Sequence, residues 1–229
     1  MVSYDFDDLE ITFSKYKLGN FTGVQIVLFE LSLFFIISTL FYNFFNISFI
    51  CYYWYTFTIL TGIWEYTYIK NKKNIICISQ KLIQRHEHVW TNKYHISTIL
   101  PWNLSKIFYA EYAAYADREY MCEKDDWSNV IEGTHALYCA LFALFALYYN
   151  YTDNMKNYYI TLSISMGSQL MNSILYISQY LIQIKTSSNI NYNSTYFPTG
   201  KYLVSRPFFY INAVWTILPS YILLYNLIL

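Results

Sequence analysis

The sequence predicts an all-α integral membrane protein: a bundle of five transmembrane helices, with interfacial helices in the loop between spans two and three. Three observations carry this expectation. Charged residues make up 13% of the chain and hydrophobic ones 55%, against roughly a quarter charged in ordinary soluble domains. The apolar residues stand in runs of about 20, the length that crosses a hydrocarbon core, rather than in narrow helical stripes. If five such runs span the bilayer, every Lys and Arg except Lys156 falls on one side of it.

The elements follow in order. Residues 1–23 form an acidic, polar and aromatic segment without the basic-then-apolar order of a cleavable signal, so the first span is expected to direct insertion. The spans are read at 24–42, 48–69, 128–149, 158–182 and 208–229. Between the second and third lies a polar segment, 70–127. In it, 75–89 carries apolar residues among Lys, Gln and His, as an interfacial helix does. Pro101-Trp102 breaks that helix, and 104–120 reads as a second short one. The 185–206 connection, rich in Ser, Asn and Thr with Pro198-Thr-Gly200, reads as a loop. The positive-inside rule then puts the N-terminus, the 70–127 segment and the last loop in the cytoplasm, or in the matrix of a mitochondrion.

Composition also excludes classes. A net charge of zero argues against a nucleic-acid partner, because phosphate binding needs a surplus of clustered Lys and Arg. Cys51, Cys77, Cys122 and Cys139 show neither a CxxC pair nor zinc spacing with His, so they read as reduced packing cysteines, and no metal or other cofactor is expected.

An ionisable group inside a bilayer costs about 2.5–3.5 kcal/mol on insertion scales, which makes each one a candidate. Glu30, Glu65 and Glu132 fall in spans one, two and three. Glu30 lies near a helix start, where snorkelling to the interface is the plainer reading. Glu65 reads either as a buried carboxyl or as an end-of-helix one, and Glu132 either as a site residue or as a first-turn acid favoured by the helix dipole. His135 follows Glu132 by one helical turn on the same face; alone it reads as an interior histidine. In span five Asn212 and Trp215 share a face in the same way. Together these residues outline a polar pocket between helices.

Several strings point further. Glu111-Tyr-Ala, then Ala116-Asp117 and Tyr120, resembles a Trp-Lys-Glu-Tyr-Ala-Lys-x-Asp-x-Arg-Tyr stretch, with one residue inserted here and the order altered to Asp117-Arg118-Glu119-Tyr120. Asp125 precedes Glu132 by seven residues. Gly167-Ser-Gln169 with Leu175-Tyr176, and Asn212-Ala-Val-Trp215-Thr-Ile-Leu-Pro219, continue the pattern in spans four and five. Over roughly residues 48–225 the chain thus resembles the emopamil-binding protein family, the family of the sterol Δ8,Δ7-isomerase, whose architecture is five spans. One departure stands out: the family's His one turn before the span-two Glu is Thr61 here.

The resemblance implies a water-poor pocket that takes a sterol or another membrane lipid. Glu65 and Glu132 would transfer protons, Trp215 would face the carbocation and Asn212 would orient a carboxyl. Thr61, Trp64, Trp127 and Tyr176 would line the substrate. His135 is expected to replace the missing His in part. The location implied is the endoplasmic reticulum. The alternative is a non-catalytic accessory subunit of a larger membrane complex, in the mitochondrial inner membrane; pairing as a homodimer is a further expectation.

Overall fold

The computed structural model describes residues 19–116, 126–183 and 207–228. These are almost entirely helical. Helix α1 is Gly23–Tyr42, α2 is Phe49–Arg85 and α3 is Pro101–Glu111, which runs on into a π-helical turn at Tyr112–Ala116. Helices α4 (Asp126–Tyr151), α5 (Met155–Gln183) and α6 (Pro207–Ile228) complete the set. Strands β1 (Phe21–Thr22) and β2 (Lys93–Tyr94) pair antiparallel, and a 3₁₀ turn at Ile96–Ile99 leads into α3.

Local chemistry sets the ends of these helices. Thr22 and Gln25 form a capping box on α1: the Gln25 N–H donates to Thr22 Oγ1 at 3.3 Å and the Thr22 N–H to Gln25 Oε1 at 2.8 Å. Ser48 caps α2 through the Cys51 N–H. His86 ends α2 in the left-handed conformation at φ 52°, the usual device for closing a helix. The turns at the far end are tied by Asn150, whose Oδ1 accepts the Asn46 N–H at 2.9 Å.

Helix α2 is the spine. The sequence predicts that the second helix ends near Ile69 and that a separate interfacial helix occupies 75–89; instead one helix of 37 residues runs through to Arg85. The reason is a second buried stripe. Ile75, Ser79 and Leu82 recur at helical spacing and are covered by α3, so packing carries the helix past the end of its apolar run. Likewise the second short helix, expected at 104–120, begins earlier, at Pro101, where proline suits the first turn. Residues 117–120 lie outside the described residues.

Two apolar clusters sit at opposite ends of α2. One gathers Trp64, Tyr68, Leu82, Val89, Tyr94 and Leu104 under α3 and the β1–β2 pair. The other joins Tyr55 to Ala143, Tyr158, Leu162 and Ile222 from α4, α5 and α6. Between them α2 packs along α4, α4 along α5, and α5 along α6. The α2–α4 contact depends on small residues: a Cβ on Gly62 would stand 2.5 Å from the Ala140 Cβ and 3.1 Å from the Ala136 carbonyl.

Many large apolar side chains face outward, among them Leu33 and Ile36 on α1, Leu144 on α4, Met171 on α5 and Ile217 on α6. Among the described residues, α1 is the one helix long and apolar enough to cross a membrane. The others carry Thr, Ser, Gln and Tyr among their apolar residues.

Candidate functional site

Four positions of α2, Trp54, Thr58, Thr61 and Glu65, recur at spacings of four, three and four, so they share one face. On α5, Gln169, Ser173 and Tyr176 do the same. The two faces meet through long side chains. The indole of Trp54 donates to Gln169 Oε1 at 3.0 Å, and the Gln169 amide donates to Thr58 Oγ1 at 3.2 Å and to Ser165 Oγ at 3.3 Å. Gln169 is buried, and these bonds account for both ends of its amide.

Helix α6 closes the ring from the other side. The Ser173 hydroxyl donates to the Asn212 carbonyl at 2.9 Å and lies 2.8 Å from Thr216 Oγ1. Trp215 stands edge-on to Trp54 with ring centres 4.7 Å apart, and lies 6.2 Å from Phe57. The predicted pair Asn212 and Trp215 therefore does reach α2 and α5.

Glu65 occupies the other end of the α2 stripe. It accepts a hydrogen bond from the hydroxyl of Tyr109 on α3. Tyr109 is buried against Tyr68, with ring centres 4.9 Å apart. Burial first, and the Glu65 charge second, hold its hydroxyl pKa well above the ordinary value, so it stays protonated and donates. The π-helical turn that follows α3 brings Tyr112 onto Tyr176 of α5, against which Phe209 also packs. Contacts thus run from Glu65 through Tyr109 and Tyr112 to Tyr176, and Ser173, one turn before Tyr176 on α5, bonds the Asn212 carbonyl.

Three predicted residues stand elsewhere or are tied locally. Trp64 is turned toward α1, where its indole N–H donates to Glu30 Oε1 at 3.2 Å. Thr61 bonds the carbonyls of Phe57 and Thr58 in its own helix, both at 3.1 Å. His135 places Nε2 3.1 Å from the Ser168 carbonyl, a contact that requires a protonated nitrogen there, and 3.4 Å from Cys139 Sγ. Glu132 and Trp127 lie within α4, but their side chains lie outside the described residues. Because Gly62 meets Ala136, the backbone of Glu132, one turn before Ala136, enters near the level of Glu65.

Sequence reasoning weighed Glu30 and preferred snorkelling to the interface, which its burial against Trp64 overturns, and it passed over Tyr109. Glu30 is 4% exposed, held between α1 and α2, and among the described residues its Oε2 has no hydrogen-bond partner. A carboxyl seven residues into an apolar helix was the available signal. For Tyr109 there was none, because one tyrosine among 27 is not distinctive. A second buried carboxyl, Glu111, accepts from His88 Nδ1 at 2.6 Å and from the Val89 N–H at 3.0 Å, clamping the turn after α2 onto α3. No group of three or more His, Cys, Asp or Glu able to hold a metal ion occurs among the described residues.

Comparison with known proteins returned no match to a family model, to a characterised protein or to a solved structure.

Proposed function

We propose that this chain is a five-span membrane protein of the emopamil-binding type, with a lipid site enclosed by α2, α4, α5 and α6 that isomerises a sterol double bond by proton transfer at Glu65. The observation that carries the reading is the Tyr109 hydroxyl seated on Glu65, at the end of a polar stripe that faces α5. Moving a double bond requires a proton delivered to one alkene carbon and another removed from a second. A carboxyl can do both in turn, and a hydroxyl donating to it stabilises the carboxylate left after delivery.

Two turns of α2, about 12 Å, separate Glu65 from Phe57, where Trp215 packs. The carboxyl and the indole are therefore spaced to grip different parts of a long flat hydrocarbon. Outward-facing apolar residues on α1, α4, α5 and α6 support placement in a bilayer, and the expected compartment is the endoplasmic reticulum.

A second reading has its own support. Thr61 and His135 are both engaged with backbone carbonyls, so the bonds they make run to the helix backbone and not to Glu65. That arrangement suits a non-catalytic member serving a larger membrane complex, in the mitochondrial inner membrane, with the pocket kept for lipid binding.

The test is expression in cells lacking their own Δ8-sterol isomerase, with sterols read by mass spectrometry. Δ7 sterols that disappear in Glu65→Gln support the isomerase. Persistent Δ8 sterols alongside well-folded protein would overturn it and leave the accessory reading.

A further inference from the structure

The stretch from His95 to Trp102 is built unlike an ordinary solvent loop. Three of its backbone donors are occupied within the stretch itself. The Ser97 N–H donates to His95 Nδ1 at 3.2 Å, the Thr98 N–H to the His95 carbonyl at 2.9 Å and the Leu100 N–H to the Ser97 carbonyl at 3.4 Å. The N–H groups of Asn103 and Leu104 both donate to the Leu100 carbonyl, and the Asn103 side-chain amide closes on the Ser97 carbonyl at 2.9 Å. Pro101 has no N–H to satisfy. Yet the same stretch turns Ile96, Leu100 and Trp102 outward, 42%, 39% and 50% exposed, while Thr98 and Leu104 point inward and are fully buried.

Its depth follows from its neighbours. Helix α3 runs parallel to α2, since Ser105 bonds the Trp64 carbonyl, Tyr109 bonds Glu65 and Tyr115 bonds the Leu82 carbonyl. Pro101 is one turn before Ser105, about 6 Å beyond Trp64 toward the apolar half of α2. The Trp64 ring in turn meets Glu30, seven residues and about 10 Å into α1. The 3₁₀ turn itself packs against α1. The outward apolar side chains thus stand on a turn packed against the helix that is long and apolar enough to cross a membrane, whose own Val24 and Leu28 are exposed.

We propose that residues 95–102 form a re-entrant wedge seated in the bilayer at the boundary between headgroups and acyl chains. Backbone donors closed within the stretch, as at Ser97, Thr98 and Leu100, suit such a position, because open donors are costly there. An indole at the boundary, flanked by aliphatic side chains, fits it equally. Exposed Lys93, just before the wedge, stands where lipid phosphates would lie. The proposal rests on the reading that α1 spans the membrane, and it adds that the polar segment between spans two and three is itself anchored in lipid.

The full chain carries the test. Cys77 and Cys122 are changed to Ser, while buried Cys51 and Cys139 are kept, and an NBD fluorophore is attached at one new cysteine. The positions are Ile96→Cys, Trp102→Cys, Leu33→Cys in the middle of α1 and Gln84→Cys at the exposed end of α2. In phosphatidylcholine vesicles containing acyl-chain spin-labelled lipid, probes at 96 and 102 should be quenched about twofold or more relative to 84, as immersion by roughly 5–10 Å requires. Quenching at 33 with none at 96 and 102 would overturn the wedge and leave the membrane reading standing. No quenching at 33 either would overturn both. A blue shift at 96 and 102 without lipid quenching would mean that protein covers this face, and would also overturn the wedge. The unlabelled chain gives an independent check: in brominated phosphatidylcholine, Trp102→Phe should remove part of the quenchable tryptophan emission. An unchanged quenchable fraction counts against the wedge.

Discussion

The indole of Trp64 donates to Oε1 of Glu30 at 3.2 Å, and this bond ties α1 to the spine of the bundle. Elsewhere the α1–α2 contact is mostly aromatic, as where Phe35 stacks on Tyr53 at 5.3 Å. Glu30 is buried, and among the described residues its second oxygen has no partner, so the indole is the main compensation for desolvating that carboxyl. Trp64→Phe keeps the ring and removes the donor. It should cost about 1–3 kcal/mol, the penalty of a buried acceptor left unpaired. Glu30→Gln keeps an acceptor for the indole and should cost less. Thermal unfolding in detergent ranks the two, and the order Glu30→Gln worse than Trp64→Phe would refute this account.

Gly62 gives a prediction with a built-in control. A methyl group there meets Ala140 at 2.5 Å and the Ala136 carbonyl at 3.1 Å, so α2 and α4 must separate. Alanine normally gains about 1 kcal/mol over glycine inside a helix. Here Gly62→Ala should instead destabilise, by about 1–3 kcal/mol. Adding Ala140→Gly removes the nearer clash and should recover a good part of the loss. A double variant no more stable than Gly62→Ala would show that the carbonyl contact dominates.

How far the sequence could be read follows from what each signal measures. The helices at 23–42, 126–151, 155–183 and 207–228 stand within a few residues of the expected segments, because long apolar runs are a local property. The continuation of α2 past Lys70 was not legible, because its buried stripe of Ile75, Ser79 and Leu82 exists only once α3 covers it. The site divides along the same line. Asn212 and Trp215 were found because their spacing is helical, whereas Trp64 was assigned to the site although its ring faces α1. Nothing in the local sequence tells which neighbour a tryptophan on a buried helix will meet.

Glu65 and Tyr109 separate by role. If the site turns over sterol, Glu65→Gln removes the transferable proton and should lower turnover by about 10²-fold or more. Tyr109→Phe deletes a single supporting hydrogen bond, so about tenfold is expected, equivalent to 1.4 kcal/mol. Glu65 should thus matter far more than Tyr109 for rate. Equal losses, with both variants folded, would make the pair a structural tie and not the reacting group.

Tyr94 supplies the pH dependence. It is fully buried on β2, where it pairs with Phe21 of β1. Burial chiefly, then the charges of Glu111 and Glu87, push its hydroxyl pKa up, while Asn92 pulls it partly back. The folded state therefore holds the proton more tightly than the unfolded state does. That contribution is fully present below the unfolded tyrosine value of about 10 and is lost as pH rises from there toward the folded value. Above about pH 10 the unfolded chain binds fewer protons than the folded one, so the sign is a loss of stability with rising pH. Tyr94→Phe removes this titration. Its stability curve should run parallel to that of the parent up to about pH 10 and fall less steeply beyond it. Chemical denaturation between neutral and alkaline pH measures the difference directly, and parallel curves throughout would mean that the Tyr94 hydroxyl ionises as readily in the fold as outside it.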